Sequence, residues 1–171
     1  DNTLIAHEWG HYLSNRLVND SNGLVANQAR GMGEGWADFV ALLMFVKEED
    51  RNTPSNANFG GTYGITPYPL GGPDYAPDVL NNAYYYGIRR FPYALKTSLG
   101  ANNKPFNPLT FADVDQSKIS TTDGAFAESP LNFSGNGASE VHNVGEIWCM
   151  ALLEVRARII AKLGFAPGND R

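Results

Sequence analysis

His7-Glu8-Trp9-Gly10-His11, inside the run LIAHEWGHYLSNRL at residues 4–17, sets two histidines four positions apart. Residues 2–18 read as a helix: Asn2 or Thr3 can cap its start, and Leu4, Ile5, Tyr12, Leu13 and Leu17 supply apolar contacts. On a helix, positions four apart share one face and are separated by about 6 Å along the axis. Two imidazoles so placed can converge on one ion at roughly 2.0–2.1 Å each. Glu8 follows His7 but is angled off that line, so its carboxylate can reach a water rather than the ion itself.

Two histidines do not complete such a site, because catalytic zinc usually takes three protein ligands and keeps its fourth position open. The longer pattern HExxHxxGxxH is excluded, since Ser14 and Leu17 stand where it needs glycine and histidine. The remaining histidine, His142, lies far downstream. Glu34 is the best candidate, 23 residues after His11 in Gly31-Met32-Gly33-Glu34-Gly35-Trp36-Ala37-Asp38. Residues 33–48 read as a second helix, with Trp36, Phe39, Val40, Leu43 and Val46 at helical spacing. Glu34 then opens that helix and can fold back against the His7/His11 face. A first-turn acid is also favoured by the helix dipole, but that role does not explain glycine on both sides. Asp38, one turn later, can accept the free N–H of a liganding histidine, which fixes the ring and raises its basicity.

The rest of the chain is read more coarsely. Residues 19–30 are polar and loop-like, and residues 50–80 are rich in Gly, Pro and Asn. Asp78 to Tyr86 reads as a third helix stopped by Gly87, and a short helix is expected near Phe111 to Val114. Residues 141–163 give the clearest late helix: Val141, Val144, Trp148, Ala151, Leu152, Val155 and Ile159 form one stripe, and Gly164 ends it. No set of strands is apparent. The fold class is therefore mainly α with long irregular loops, in one domain over 1–171. Asp113-Val114-Asp115 resembles the start of a calcium loop, but Lys118 and Gly124 occupy the positions that need glycine and glutamate, so no such site is expected.

Composition limits the partners. The 171 residues carry a net charge of −5, which gives no basic surface for nucleic acid or an anionic membrane. No apolar run is long enough to span a bilayer. The single cysteine, Cys149, excludes an internal disulfide and reads as a buried, inert thiol in an apolar helix.

Five blocks resemble the fungalysin family of metallopeptidases, relatives of thermolysin in the gluzincin group. They are HEWGHYLSNRL at 7–17, GMGEGWADF at 31–39, IRRFPY at 88–93, NPLTFADV at 107–114 and EVHNVGEIW at 140–148. The resemblance implies the helical, C-terminal half of a thermolysin-like peptidase, secreted to the extracellular space. It also implies that a β-rich half and a propeptide precede this chain in its precursor, because the motif stands at the very start. That leaves an open, half-walled cleft. It makes His7, His11 and Glu34 ligands of one Zn²⁺ ion, Glu8 the general base, and Asp38 the partner of His7. His142 resembles the histidine that steadies the transition state, and Arg89-Arg90 fall where an arginine contacts the substrate backbone. Pairing of Arg89 and Arg90 with an acid, or solvation, is equally open. No tyrosine lies in 19–30, where thermolysin-like enzymes carry one, so His142 or one of Tyr84-Tyr85-Tyr86 would take that task. The three tyrosines are equally readable as packing.

The function implied is zinc-dependent endopeptidase cleavage of proteins or peptides. The alternatives are a zinc-holding, peptide-binding chain with little activity of its own, and a hydrolase of non-peptide amides. A pocket beside the metal is expected from segments 84–100 and 132–148.

Overall fold

The computed structural model describes residues 1–70, 77–101, 103–114, 128–131 and 140–165. Lys118, Gly124 and segment 132–139 lie outside these, and so do the tests of the calcium-loop and pocket expectations there. Among the described residues there are four α-helices: α1 (Asn2–Leu17), α2 (Asn27–Phe45), α3 (Pro77–Tyr86) and α4 (Val141–Leu163). Among the described residues there is no strand, only three isolated bridges: Tyr63 with Tyr93, Ile65 with Gly87, and Leu99 with Pro105. The mainly α expectation holds.

Helix α1 is capped by Asp1, whose carboxylate accepts from the backbone N–H of Thr3 and Leu4; Asn2 and Thr3, the expected caps, lie inside the helix. The same carboxylate accepts from Tyr68 N–H at 3.0 Å, which ties the loop after residue 60 to the start of α1. Helix α2 begins six residues earlier than the periodicity suggests and ends at Phe45 rather than 48. Glu34 therefore sits in its second turn and not at its start. Asn27-Gln28-Ala29-Arg30 extend the helix because nothing in them opposes it, although they carry little apolar signal.

The three helices α1, α2 and α4 pack through backbone approach. A Cβ at Gly10 would lie 2.7 Å from Ala37 Cα, so α1 and α2 touch directly. A Cβ at Gly35 would lie 2.5 Å from the Gly145 carbonyl oxygen, so α2 and α4 touch directly. Glycine inside a helix costs about 1 kcal/mol against alanine; here it permits a helix crossing that any side chain would open.

The core is built from Phe39, Leu42, Val46, Phe59, Ile65, Tyr93, Leu95, Cys149, Met150 and Leu153. Cys149 is fully buried, as read from its surroundings. The buried face of α4 differs from the expected stripe. Asn143, Gly145, Glu146, Cys149, Met150, Leu153 and Ala157 face inward, whereas Val155 and Ile159 are exposed. Val144, Ile147, Trp148 and Ala151 instead line an apolar groove of about 460 Å³ with Met32, Leu109 and Phe111. On the inner face of α4 the Glu146 carboxylate pairs with the buried Arg90, which apolar periodicity cannot register. Similarly Ile5, Tyr12 and Leu17 of α1 are exposed, and Ala6, His7 and Gly10 are its buried residues.

Candidate metal centre

α1 and α2 bring their polar faces together one turn from the Gly10–Ala37 contact. His7 Nε2 and His11 Nε2 lie 3.0 Å apart. Glu34 Oε2 is 3.4 Å from the first and 3.3 Å from the second. One ligand atom from each residue lies within 4.8 Å of the others, a grouping able to hold a metal ion. Glu34 Oε2 is buried and has no hydrogen-bond donor. A buried acceptor without a donor is costly, and a cation at this point would satisfy it together with both imidazole lone pairs. The donor set of two imidazoles and one carboxylate fits zinc.

Tautomers follow from the contacts behind the ligands. His7 Nδ1 donates to Asp38 Oδ1 at 2.7 Å, so once the ring gives up its second proton Nε2 is the bare lone pair, aimed at Glu34 and His11. Asp38 is completely buried. Burial works against its charge, but Arg89 and His7 outweigh it and hold the carboxyl well below its usual range. Burial also opposes a proton on His7, yet Asp38 and Glu34 push that imidazole up to about 9. Glu34 is likewise held well below the usual carboxylate range, against its burial, by His11, His7 and His142. The group therefore favours positive charge between its members, which a bound cation supplies.

His142, at the second position of α4, brings Nε2 to 3.4 Å from Glu34 Oε2. Its Nδ1 is 2.6 Å from Glu140 Oε1. Glu140 is also the N-cap of α4, its other oxygen accepting from His142 and Asn143 N–H at 3.0 and 3.1 Å. One carboxylate thus starts the helix and orients the histidine that helix presents. Glu8 is exposed on α1 beside its two histidine neighbours.

The arginines are used internally. Arg89 clasps Asp38 with Nε to Oδ2 at 2.6 Å and Nη2 to Oδ1 at 2.8 Å. Arg90 bonds Glu146 Oε2 at 2.9 Å through Nε and the Asn143 carbonyl at 3.0 Å through Nη2. Both are almost fully buried. Of the roles open to the pair, this structure shows pairing with an acid, and Arg89 Nη2 also lies 4.0 Å from Glu34 Oε2. Tyr85 and Tyr86 pack edge to face with centroids 4.8 Å apart, and Tyr84 is exposed.

Comparison with known proteins bears on the same residues. A family model described as Fungalysin metallopeptidase (M36) matches residues 1–170. The chain belongs to the fungalysin family. Extracellular metalloproteinase 2 of Trichophyton tonsurans is 30% identical over 166 residues, 95% of this chain and 19% of that protein. Extracellular metalloproteinase mep of Aspergillus fumigatus is 31% identical over 164 residues, 94% of this chain and 18% of that protein. This fungalysin chain thus spans less than a fifth of the length of these curated relatives.

Three residues of the fungalysin site escape a reading of its motifs. Glu140 could have been found as an acid two positions before His142 at a helix start. Glu146 pairs with Arg90 across 56 positions, and the Tyr93 hydroxyl donates to Asp38 Oδ2 across 55. No local spacing connects either pair.

Proposed function

We propose that this chain carries the catalytic centre of a secreted zinc endopeptidase. His7, His11 and Glu34 would hold the ion, which when bound supplies Lewis-acid polarisation of a carbonyl and a water of lowered pKa. The observation that carries the reading is the buried Glu34 Oε2, without a hydrogen-bond partner, facing His7 Nε2 and His11 Nε2 at 3.4 and 3.3 Å. Glu8 is the general base: it takes a proton from the attacking water and returns it to the leaving amine, so atoms and charge balance over the cycle. His142, its Nδ1–H held by the Glu140 carboxylate, donates from Nε2 to the developing oxyanion in its doubly protonated, imidazolium form. Asp38 keeps the His7 tautomer that leaves Nε2 free. Arg89 holds Asp38 in place. The relatives' names as extracellular metalloproteinases support both the secreted location and a protein or peptide substrate.

Glu8→Gln is the test. Zinc content should be unchanged and casein cleavage should fall by a factor on the order of 10²–10⁴. Cleavage at the parent rate would remove Glu8 from this role. A second reading, in which the chain holds zinc and binds peptide with little turnover, is favoured by the exposed Glu8 and the half-exposed His142. Chelator-sensitive casein digestion by the chain alone excludes that second reading.

A further inference from the structure

Asp38 carries more donors than orientation of one histidine requires. Oδ1 faces His7 Nδ1 and Arg89 Nη2; Oδ2 faces Arg89 Nε and the Tyr93 hydroxyl. Arg89 already neutralises the charge, so the phenol adds geometry and no charge. An ionised carboxylate is an acceptor only, so the phenol O–H is the donor in that contact. With two donors on each oxygen, rotation of the carboxylate breaks bonds at both ends. The phenol itself comes from a fixed place. Tyr93 is fully buried, and its backbone exchanges two hydrogen bonds of 2.9 Å with Tyr63. Its neighbour Pro92 accepts from the Asn107 side chain at 3.0 Å, which fixes the same loop from the other side.

We infer that Tyr93 is a positioning residue of the metal centre, its hydroxyl locking the Asp38 carboxylate so that Oδ1 holds His7 in its liganding orientation. The inference rests on the reading of His7, His11 and Glu34 as the metal ligands. It extends the centre from α1 and α2 to the 88–93 loop, a third part of the chain. Without the hydroxyl, Oδ2 loses a donor in a buried place, the carboxylate rotates, and the His7 ring follows.

The experiment uses Co²⁺ as the probe, with affinity by titration and the visible absorption spectrum as the report on ligand geometry. Tyr93→Phe should weaken Co²⁺ binding about tenfold, the lower end of the range for groups behind a ligand, and should alter the cobalt bands. Installing 4-aminophenylalanine at 93, which keeps a donor, should restore both. A Phe variant with parent affinity and parent spectrum, whatever its melting temperature, overturns the inference. If the Phe variant does not fold, the amino variant is decisive: parent affinity and spectrum support the donor role, and a tenfold loss overturns it. His7→Ala is run alongside. Cobalt binding that survives His7→Ala overturns the metal reading and this inference together, whereas binding lost in His7→Ala but unchanged in Tyr93→Phe overturns this inference alone.

Discussion

Replacing Gly35 by alanine tests the helix crossing on which the centre depends. Gly35 lies inside α2, where alanine would ordinarily stabilise by about 1 kcal/mol. A Cβ there would meet the Gly145 carbonyl oxygen at 2.5 Å, Trp148 Cβ at 2.8 Å and Cys149 N at 3.0 Å. Two of those atoms are backbone, so nothing can swing aside and α2 must move from α4. Overpacking of this kind costs about 1–3 kcal/mol, and a backbone collision belongs at the upper end. Set against the propensity gain, the net loss is about 2 kcal/mol, roughly a thirtyfold fall in the folding constant. Gly33, two residues earlier on the same helix, provides the control. A Cβ there meets only the Leu24 side chain, at 3.3 Å from Cδ1 and 3.9 Å from Cβ, and Cδ1 is a flexible end that can yield. Gly33→Ala should be neutral or up to about 1 kcal/mol stabilising. Urea unfolding followed by far-ultraviolet circular dichroism measures both. A Gly35→Ala midpoint at or above that of the parent, or equal shifts in the two variants, would refute the argument from backbone contact.

Three further outcomes follow from the site. Zinc at a hundred times its dissociation constant should add about 2.7 kcal/mol of stability and raise Tm by roughly 5–10 °C; Glu34→Gln should lose most of that rise in a thermal-shift assay. Arg90→Leu strands the buried Glu146 and should cost about 3–5 kcal/mol in urea unfolding, with much of the loss recovered when Glu146→Leu is added. Glu140→Ala removes the cap of α4, costing about 1 kcal/mol, and frees His142; steady-state kinetics should show a lower kcat with KM little changed.

The two motif helices were legible for different reasons. HExxH is a local device: its spacing and helical period together imply convergent imidazoles, and α1 was read to within one residue at its end. Glu34 and Asp38 were legible because they sit four apart on one helix flanked by glycines, even though α2 starts earlier than its apolar pattern. The inner face of α4 was not legible. Its apolar stripe suggests Val155 and Ile159 inside, but Asn143 and Glu146 take inward positions, and the Glu146 carboxylate there pairs with Arg90. The arginine pair shows the same limit. Two adjacent cations do not announce which acids they pair with, and here the fold supplies each with a buried one.

By itself, then, the order of residues determined the candidate ligand types, their helical spacing, the carboxylate next to the first histidine and the helix stops at Gly87 and Gly164. These depend on contacts within a few turns, where chain geometry is the same in any fold. Only the tertiary structure decided that Asp38 would gather His7, Arg89 and Tyr93, and that glycines would set the helices in backbone contact. The Asp38 pairings join positions 31 to 55 residues apart, and burial makes them selective because no water remains to substitute for a missing partner.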